Sequence, residues 1–287
     1  MKIITADQRL QEVHLPKILI AGQSGVGKTS LLRTLPHPET ALLVDIEAGD
    51  QAVRDVACDA LRPATWQEIR NVACFLGGPD FSLPEHAPYS AAHYEAMLTE
   101  FEGVDRAKYD LLFVDSLTAA ARLCLRWCQQ QPEAFSERTQ KPDPRGAYGL
   151  LGREMLQWLQ RLQHTRDKAV VFVTILENVK DEFGRASWEL QIDGSKAGRE
   201  LPGIVDQVIG MHFVPHPMGD DRPEGEPEIV RAFLCTPEAS VGILPGFVPK
   251  DRSGRLKAFE RPDLGQLLYK LTATDGPRRK HRKPSNH

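Results

Sequence analysis

The chain has 287 residues, 41% of them hydrophobic and 26% charged, with 36 Lys+Arg against 39 Asp+Glu for a formal charge of −3. That composition excludes a disordered chain, a collagen-like repeat and a small disulfide scaffold, and leaves enough chain for one large domain or two small ones. The near balance of charge excludes the overall basic footprint of a protein that coats duplex DNA, so any nucleic-acid contact has to be local.

In chain order, residues 1–14 read as a short extension without an apolar signal-peptide core. Residues 17–21 (KILIA) predict a buried strand that ends at a glycine-rich turn, and 28–35 (KTSLLRTL) predict a helix behind it. A second strand is expected over 41–46, a helix over 65–76 opened by the capping box Thr65-x-x-Glu68, a helix over 90–101, a third strand over 109–116 and a helix over 117–130. Residues 131–149 hold three prolines and two glycines and read as a long loop before a helix at about 150–164. The run AVVFVTIL at 169–176 predicts the fourth strand, 177–203 a polar connection, and 207–214 the fifth strand. After the turn-rich segment 215–227, a strand pair over 228–236 and 242–248 is expected at the sheet edge, then a short helix over 262–271. The last residues, 273–287, carry five Lys/Arg between Arg278 and Lys283 and read as a disordered basic tail.

Strands that read as continuous apolar runs and alternate with helices predict an α/β fold with a mostly parallel central sheet covered on both faces. The five cysteines are odd in number and lack Cys-x-x-Cys spacing, which fits reduced thiols in a cytoplasm. With no apolar run of eighteen residues, the expectation is a soluble chain that makes no use of a membrane.

The strongest chemical signal is Gly22-Gln23-Ser24-Gly25-Val26-Gly27-Lys28-Thr29, followed by Ser30. It fits G-x-x-x-x-G-K-[ST] and lies between a predicted strand and a predicted helix, where a phosphate loop belongs. The glycines allow the backbone to curl so that successive N–H groups face a β-phosphate, Lys28 reaches the β/γ oxygens, and the Thr29 hydroxyl is suited to ligate Mg²⁺. A second magnesium ligand, a carboxylate, is expected at Asp115, at the end of the apolar run Leu111–Val114, where it would also cap the following helix. Glu47, just past the second strand, is the candidate that polarises the attacking water, with Asp45 as its competitor.

This order of motifs resembles the RecA/Rad51 recombinase core, whose corresponding glutamate activates water. Over residues 15–272 the chain is more closely similar to phage-encoded ATP-binding proteins with a reduced RecA core, which include the Sak-type RecA-like single-strand annealing proteins. Two further strings carry that likeness, Gly198-x-x-Leu-Pro-Gly203-x-x-Asp206 and Lys250-Asp-Arg252-Ser-Gly254. The resemblance implies a RecA-like P-loop fold with an antiparallel C-terminal extension, ATP and Mg²⁺ as ligands, and a host cytoplasm as the setting. It implies single-stranded DNA and a homo-oligomer, ring or filament, as partners, with a single-strand-binding protein as a further candidate.

By the same resemblance Lys250 and Arg252 would act as basic fingers in a neighbouring subunit's site, against the plainer reading of an exposed charged turn. The segments after the third and fourth strands would bind DNA through Arg138, Lys141 and Arg145, and through Lys180, Arg185, Lys196 and Arg199, with Phe135, Tyr148, Phe183 and Trp188 as stacking surfaces. Residues 177–200 hold four Lys/Arg against six Asp/Glu, so packing of the hairpin's own aromatics is the competing reading. The family's polar sensor at the end of the fourth strand falls on Leu176, leaving Thr174, Glu177 or Asn178 as substitutes. An ATP-gated partner-binding or helicase-loading module is the alternative function; a GTPase is disfavoured because no Asn-Lys-x-Asp string is present.

Overall fold

The computed structural model describes residues 3–12, 14–216 and 228–273. Its strands are β1 (Lys17–Gly22), β2 (Ala41–Asp45), β3 (Asp59–Leu61), β4 (Leu111–Asp115), β5 (Ala169–Lys180), β6 (Ala186–Leu190), β7 (Gln207–Pro215), β8 (Ile229–Leu234), β9 (Lys250–Asp251) and β10 (Phe259–Glu260). Its helices are α1 (Ala6–Gln11), α2 (Trp66–Gly77), α3 (Ala91–Glu100), α4 (Leu117–Cys128), α5 (Pro144–Gln163), α6 (Ser195–Ile204), α7 (Pro237–Ser240) and α8 (Leu264–Thr272). The sheet runs β10-β8-β7-β1-β5-β4-β2-β3, parallel from β7 through β3 and antiparallel where β8, β9 and β10 join, while β6 folds back on β5. The expected class, a P-loop α/β fold with a mostly parallel sheet and an antiparallel C-terminal extension, is the one observed.

The core follows from strand alternation. Leu19 and Ala21 of β1 point to the face covered by α2, α4, α5 and α6, while Ile18 and Ile20 point to the face covered by Leu31 and Leu32 behind the phosphate loop and by Leu264 and Leu267 of α8. α2 opens with the expected capping box, Thr65 accepting from the Glu68 N–H and Glu68 returning to the Thr65 N–H.

Several elements differ from the sequence reading. The segment behind the phosphate loop is a short 3₁₀ helix, Thr29–Thr34. α5 starts at Pro144, with Asp143 as its N-cap, so the long loop is shorter than expected; an Asp-Pro pair at N-cap and N1 is itself a start signal. β5 continues to Lys180 as a hairpin arm, because β6 offers it backbone partners that a reading of apolar runs cannot see. α6 forms despite two glycines and Pro202, since Leu201, Ala197 and Ile204 are buried. Residues 242–248 form no strand; the two-residue strands β9 and β10 take that edge instead. The basic residues of the C-terminal tail lie outside the described residues, as does most of the turn-rich 215–227 segment.

Candidate nucleotide site

β1 lies between β5 and β7, and its register places Gly22 beside Ile175 and Met211, at the carboxyl end of the sheet. Gly22 is required there: a Cβ would meet the Met211 carbonyl oxygen at 2.6 Å. Beyond it the loop turns through Gly25 (φ +77°) and Gly27 (φ +93°), conformations that L side chains rarely adopt. The Lys28 ammonium is folded onto the loop, donating to the carbonyl oxygens of Gly22 (2.8 Å) and Gln23 (2.9 Å). Burial lowers its pKa, partly opposed by Asp115 and Glu47.

The acids gather on the β5, β4, β2 side of the loop. Asp45 and Asp115 are register partners at the ends of β2 and β4. Thr29 Oγ1 donates to Asp115 Oδ2 at 2.5 Å, so the two expected magnesium ligands are already in contact. Burial pushes the Asp115 carboxyl up to about 6, with Glu47 and Asp45 adding to the shift and the Thr29 hydrogen bond opposing it. A hydroxyl and a buried carboxylate side by side, with a phosphate loop above, form a hard oxygen donor set that fits Mg²⁺.

Geometry separates Glu47 from its competitor. Asp45 is buried and its two oxygens accept from the N–H groups of Gly49 (2.9 Å) and Asp50 (3.2 Å), which turns the chain after β2. Glu47 is exposed, and its carboxylate accepts from the Ser116 hydroxyl, next to Asp115. The Glu47 N–H donates to the Asp115 carbonyl at 3.2 Å, which ties the two strand ends together. Ser116 is also the N-cap of α4.

Leu176, the expected sensor position, is buried in the core. Of its three substitutes, Thr174 is fully buried, with its hydroxyl 3.1 Å from that of Thr118 in the first turn of α4. Glu177 and Asn178 are exposed on the hairpin.

Lys250 and Arg252 are not brought to this loop. β9 pairs with the start of β7, so Lys250 stands opposite Val208, three residues below the Met211 level and roughly 10 Å toward the amino end. Lys250 Nζ donates to the carbonyl oxygens of Pro202 and Val205, the latter at 2.7 Å, and Arg252 donates to the Gly203 carbonyl (3.2 Å) and to Asp206 (3.1 Å). Within this chain the two cations are therefore held by its own backbone and by Asp206. The two strings that carried the family likeness dock on each other, and the cations cap the last carbonyls of α6.

The cations expected on DNA fall into two groups. Arg138, Lys141 and Arg145 are exposed around the bridge between Phe135 and Pro142 and the start of α5. Lys180 and Arg185 lie on the β5–β6 hairpin, where the Arg185 guanidinium sits 5.5 Å from the exposed Phe183 ring, and Lys196 and Arg199 belong to α6. Trp188 instead packs edge-on to His212 and donates its backbone N–H to Pro245, which is the hairpin-packing reading.

A residue the sequence reading missed touches the loop. Arg231 of β8 donates from Nη1 to the Val26 carbonyl at 3.2 Å and covers Gly27. No local motif marks it.

A glycine-built phosphate loop, a lysine inside it, a Thr–Asp pair at its foot and a glutamate beside them define a P-loop nucleotide hydrolase. The chain belongs to the AAA domain family (AAA_24), whose model matches residues 15–231. Among solved structures it is similar to the flagellar accessory protein FlaH of Methanocaldococcus jannaschii, at 10% identity and TM-score 0.30 over 79% of this chain and 81% of that one. It is also similar to an ATPase from the type III secretion system of pathogenic bacteria, at 18% identity and TM-score 0.37 over 85% of this chain and 61% of that one. No curated protein matches. Among the described residues no helix is long and apolar enough to cross a membrane.

Proposed function

We propose that this AAA-family chain is a Mg²⁺-dependent ATPase that acts on single-stranded DNA, annealing or pairing strands in phage-type recombination. The observation that carries the ATPase half is the convergence of Lys28, Thr29, Asp115 and Glu47 on one loop. Thr29 and Asp115 would hold Mg²⁺, which supplies charge neutralisation at the β- and γ-phosphates when bound. Lys28 exchanges the Gly22 and Gln23 carbonyls for phosphate oxygens. Glu47, held by Ser116, orients the attacking water and takes its proton. DNA binding rests on the β5–β6 hairpin, which leaves the sheet at the same end as the phosphate loop and presents Phe183 and Arg185 to solvent.

A second reading, an ATP-gated module that binds a protein partner, is favoured by the excess of acidic residues over 177–200. Steady-state ATP hydrolysis at low salt, with and without single-stranded DNA, separates the two, with Lys28→Ala as the blank. Stimulation by single strands is expected; turnover that ignores DNA would reject the DNA role and favour the partner-binding module. No turnover above the Lys28→Ala blank would reject the ATPase itself.

A further inference from the structure

We propose that Arg231 is a positioning residue of the nucleotide site, which sets the aim of the Gly27 N–H from outside the phosphate loop. The inference rests on the reading of Gly22–Thr29 as a triphosphate site and deepens it. Three observations meet at this residue. Its Nη1 lies 3.2 Å from the Val26 carbonyl oxygen. A Cβ built on Gly27 would meet that same nitrogen at 2.1 Å, so the guanidinium lies directly against the loop. Arg231 is the antiparallel partner of Phe213, beyond the level at which β1 ends, so β8 delivers the side chain to the flank of the loop opposite the acids on β4 and β2.

The physical argument turns on one peptide plane. The Val26 carbonyl and the Gly27 N–H belong to the same planar trans unit and point in opposite directions. Holding the oxygen outward therefore holds the N–H inward, toward the phosphates. A glycine at φ +93° has little steric preference of its own to keep that plane from rotating. A charge-assisted donor on the carbonyl supplies the restraint that the missing side chain does not. Lys28 holds the Gly22 and Gln23 carbonyls from within and exchanges them for phosphate oxygens, whereas Arg231 stays on the Val26 carbonyl from outside.

The brace acts on the loop rather than on the nucleoside. Arg231→Gln should therefore weaken ATP and inorganic tripolyphosphate equally, each by about tenfold, while kcat at saturating ATP falls less than threefold and Arg231→Lys recovers part of the affinity. Affinity is read by titration of the full chain with each ligand, and the ligand-free melting temperature controls for folding. Unchanged affinity for both ligands overturns the proposal. So does a loss confined to ATP, which would make Arg231 a nucleoside contact, and so does a loss confined to kcat, which would place it on the transition state. If wild-type protein and Lys28→Ala bind tripolyphosphate alike, the phosphate-loop reading itself fails, and Arg231 is not the residue at fault.

Discussion

The two ends of β1 each bury a lysine, and the difference between them separates structure from chemistry. At the amino end, Lys17 is almost wholly buried and donates to the carbonyl oxygens of Leu15 (3.0 Å) and Lys168 (2.8 Å), while Lys168 in turn donates to Arg106 and Tyr109. Asp206, the acid that faces Lys17, is already engaged with the Lys17 N–H, Arg252 and His14. At the carboxyl end, Lys28 also rests on carbonyls, but the acids facing it are crowded. Asp115 is pushed up to about 6 by its burial beside Glu47 and Asp45. The amino end is a closed set of polar groups; the carboxyl end is a strained cluster of like charges that a magnesium–phosphate complex would relieve.

The comparison breaks most visibly at Glu47. Glu47→Gln keeps a hydrogen-bonding group toward Ser116 but removes the carboxylate proposed as base, so kcat should fall by roughly 10²- to 10⁴-fold while ATP affinity is retained. Single-turnover hydrolysis beside a nucleotide titration reads both. Wild-type turnover in the variant would return the role to Asp45 or to another group.

Asp115 shows the cost of the open end. Its carboxyl pKa is higher folded than unfolded, so the folded state binds the extra proton and stability is lost as pH rises from about 4 to about 6. Asp115→Asn keeps an acceptor for Thr29 and removes the buried charge. The ligand-free variant should be more stable than wild type at pH 7 by roughly 2 to 3 kcal/mol, with the difference closing below pH 4, while turnover collapses. Denaturant melts at several pH values check it; a variant less stable than wild type at pH 7 would mean that the cluster is not strained.

What the sequence made legible follows the same division. The phosphate loop was readable because its eight residues are contiguous, and Asp115 and Glu47 because each stands where an apolar run stops. Arg231 was not, because its partner Val26 lies 205 positions away and is reached through the antiparallel register of β7 and β8. The continuation of β5 into a hairpin arm was hidden for a related reason. Its polar arm Glu177–Lys180 carries no hydrophobic period, and it is extended only because β6 pairs with it, with Trp188 and Leu190 half-buried against the core. The clasp between α6 and β9 was visible as two strings, although nothing in them says that they touch.

At the amino end, Lys17 offers the converse of Asp115. Burial lowers its ammonium pKa to about 8, so the unfolded chain binds more protons between about pH 8 and 10.5 and wild-type stability gains across that window. Other groups titrate there too, so the test is the difference between wild type and Lys17→Met, which should shift in favour of wild type by roughly 2 to 3 kcal/mol from pH 8 to 10.5. A pH-independent difference would show that the ammonium is not the group whose charge the fold resists.

The smallest effect is expected at Arg252, and it decides what the clasp is for. The side chain is half exposed, and removing it leaves Asp206 with the Lys17 N–H and His14. Arg252→Ala should lower stability by no more than about 1 kcal/mol, with turnover at saturating ATP within twofold of wild type. Lys250 is held more firmly, by two carbonyls and partly buried, so Arg252 is the less restrained of the two. Mixing Arg252→Ala with Glu47→Gln protein makes that choice observable. Clasp geometry alone predicts that the mixture hydrolyses ATP at the rate set by its Arg252→Ala subunits. If Arg252→Ala by itself lost turnover and the mixture regained it, active sites would be forming between an intact Glu47 on one subunit and an intact Arg252 on the next, and the clasp would be the resting place of a finger.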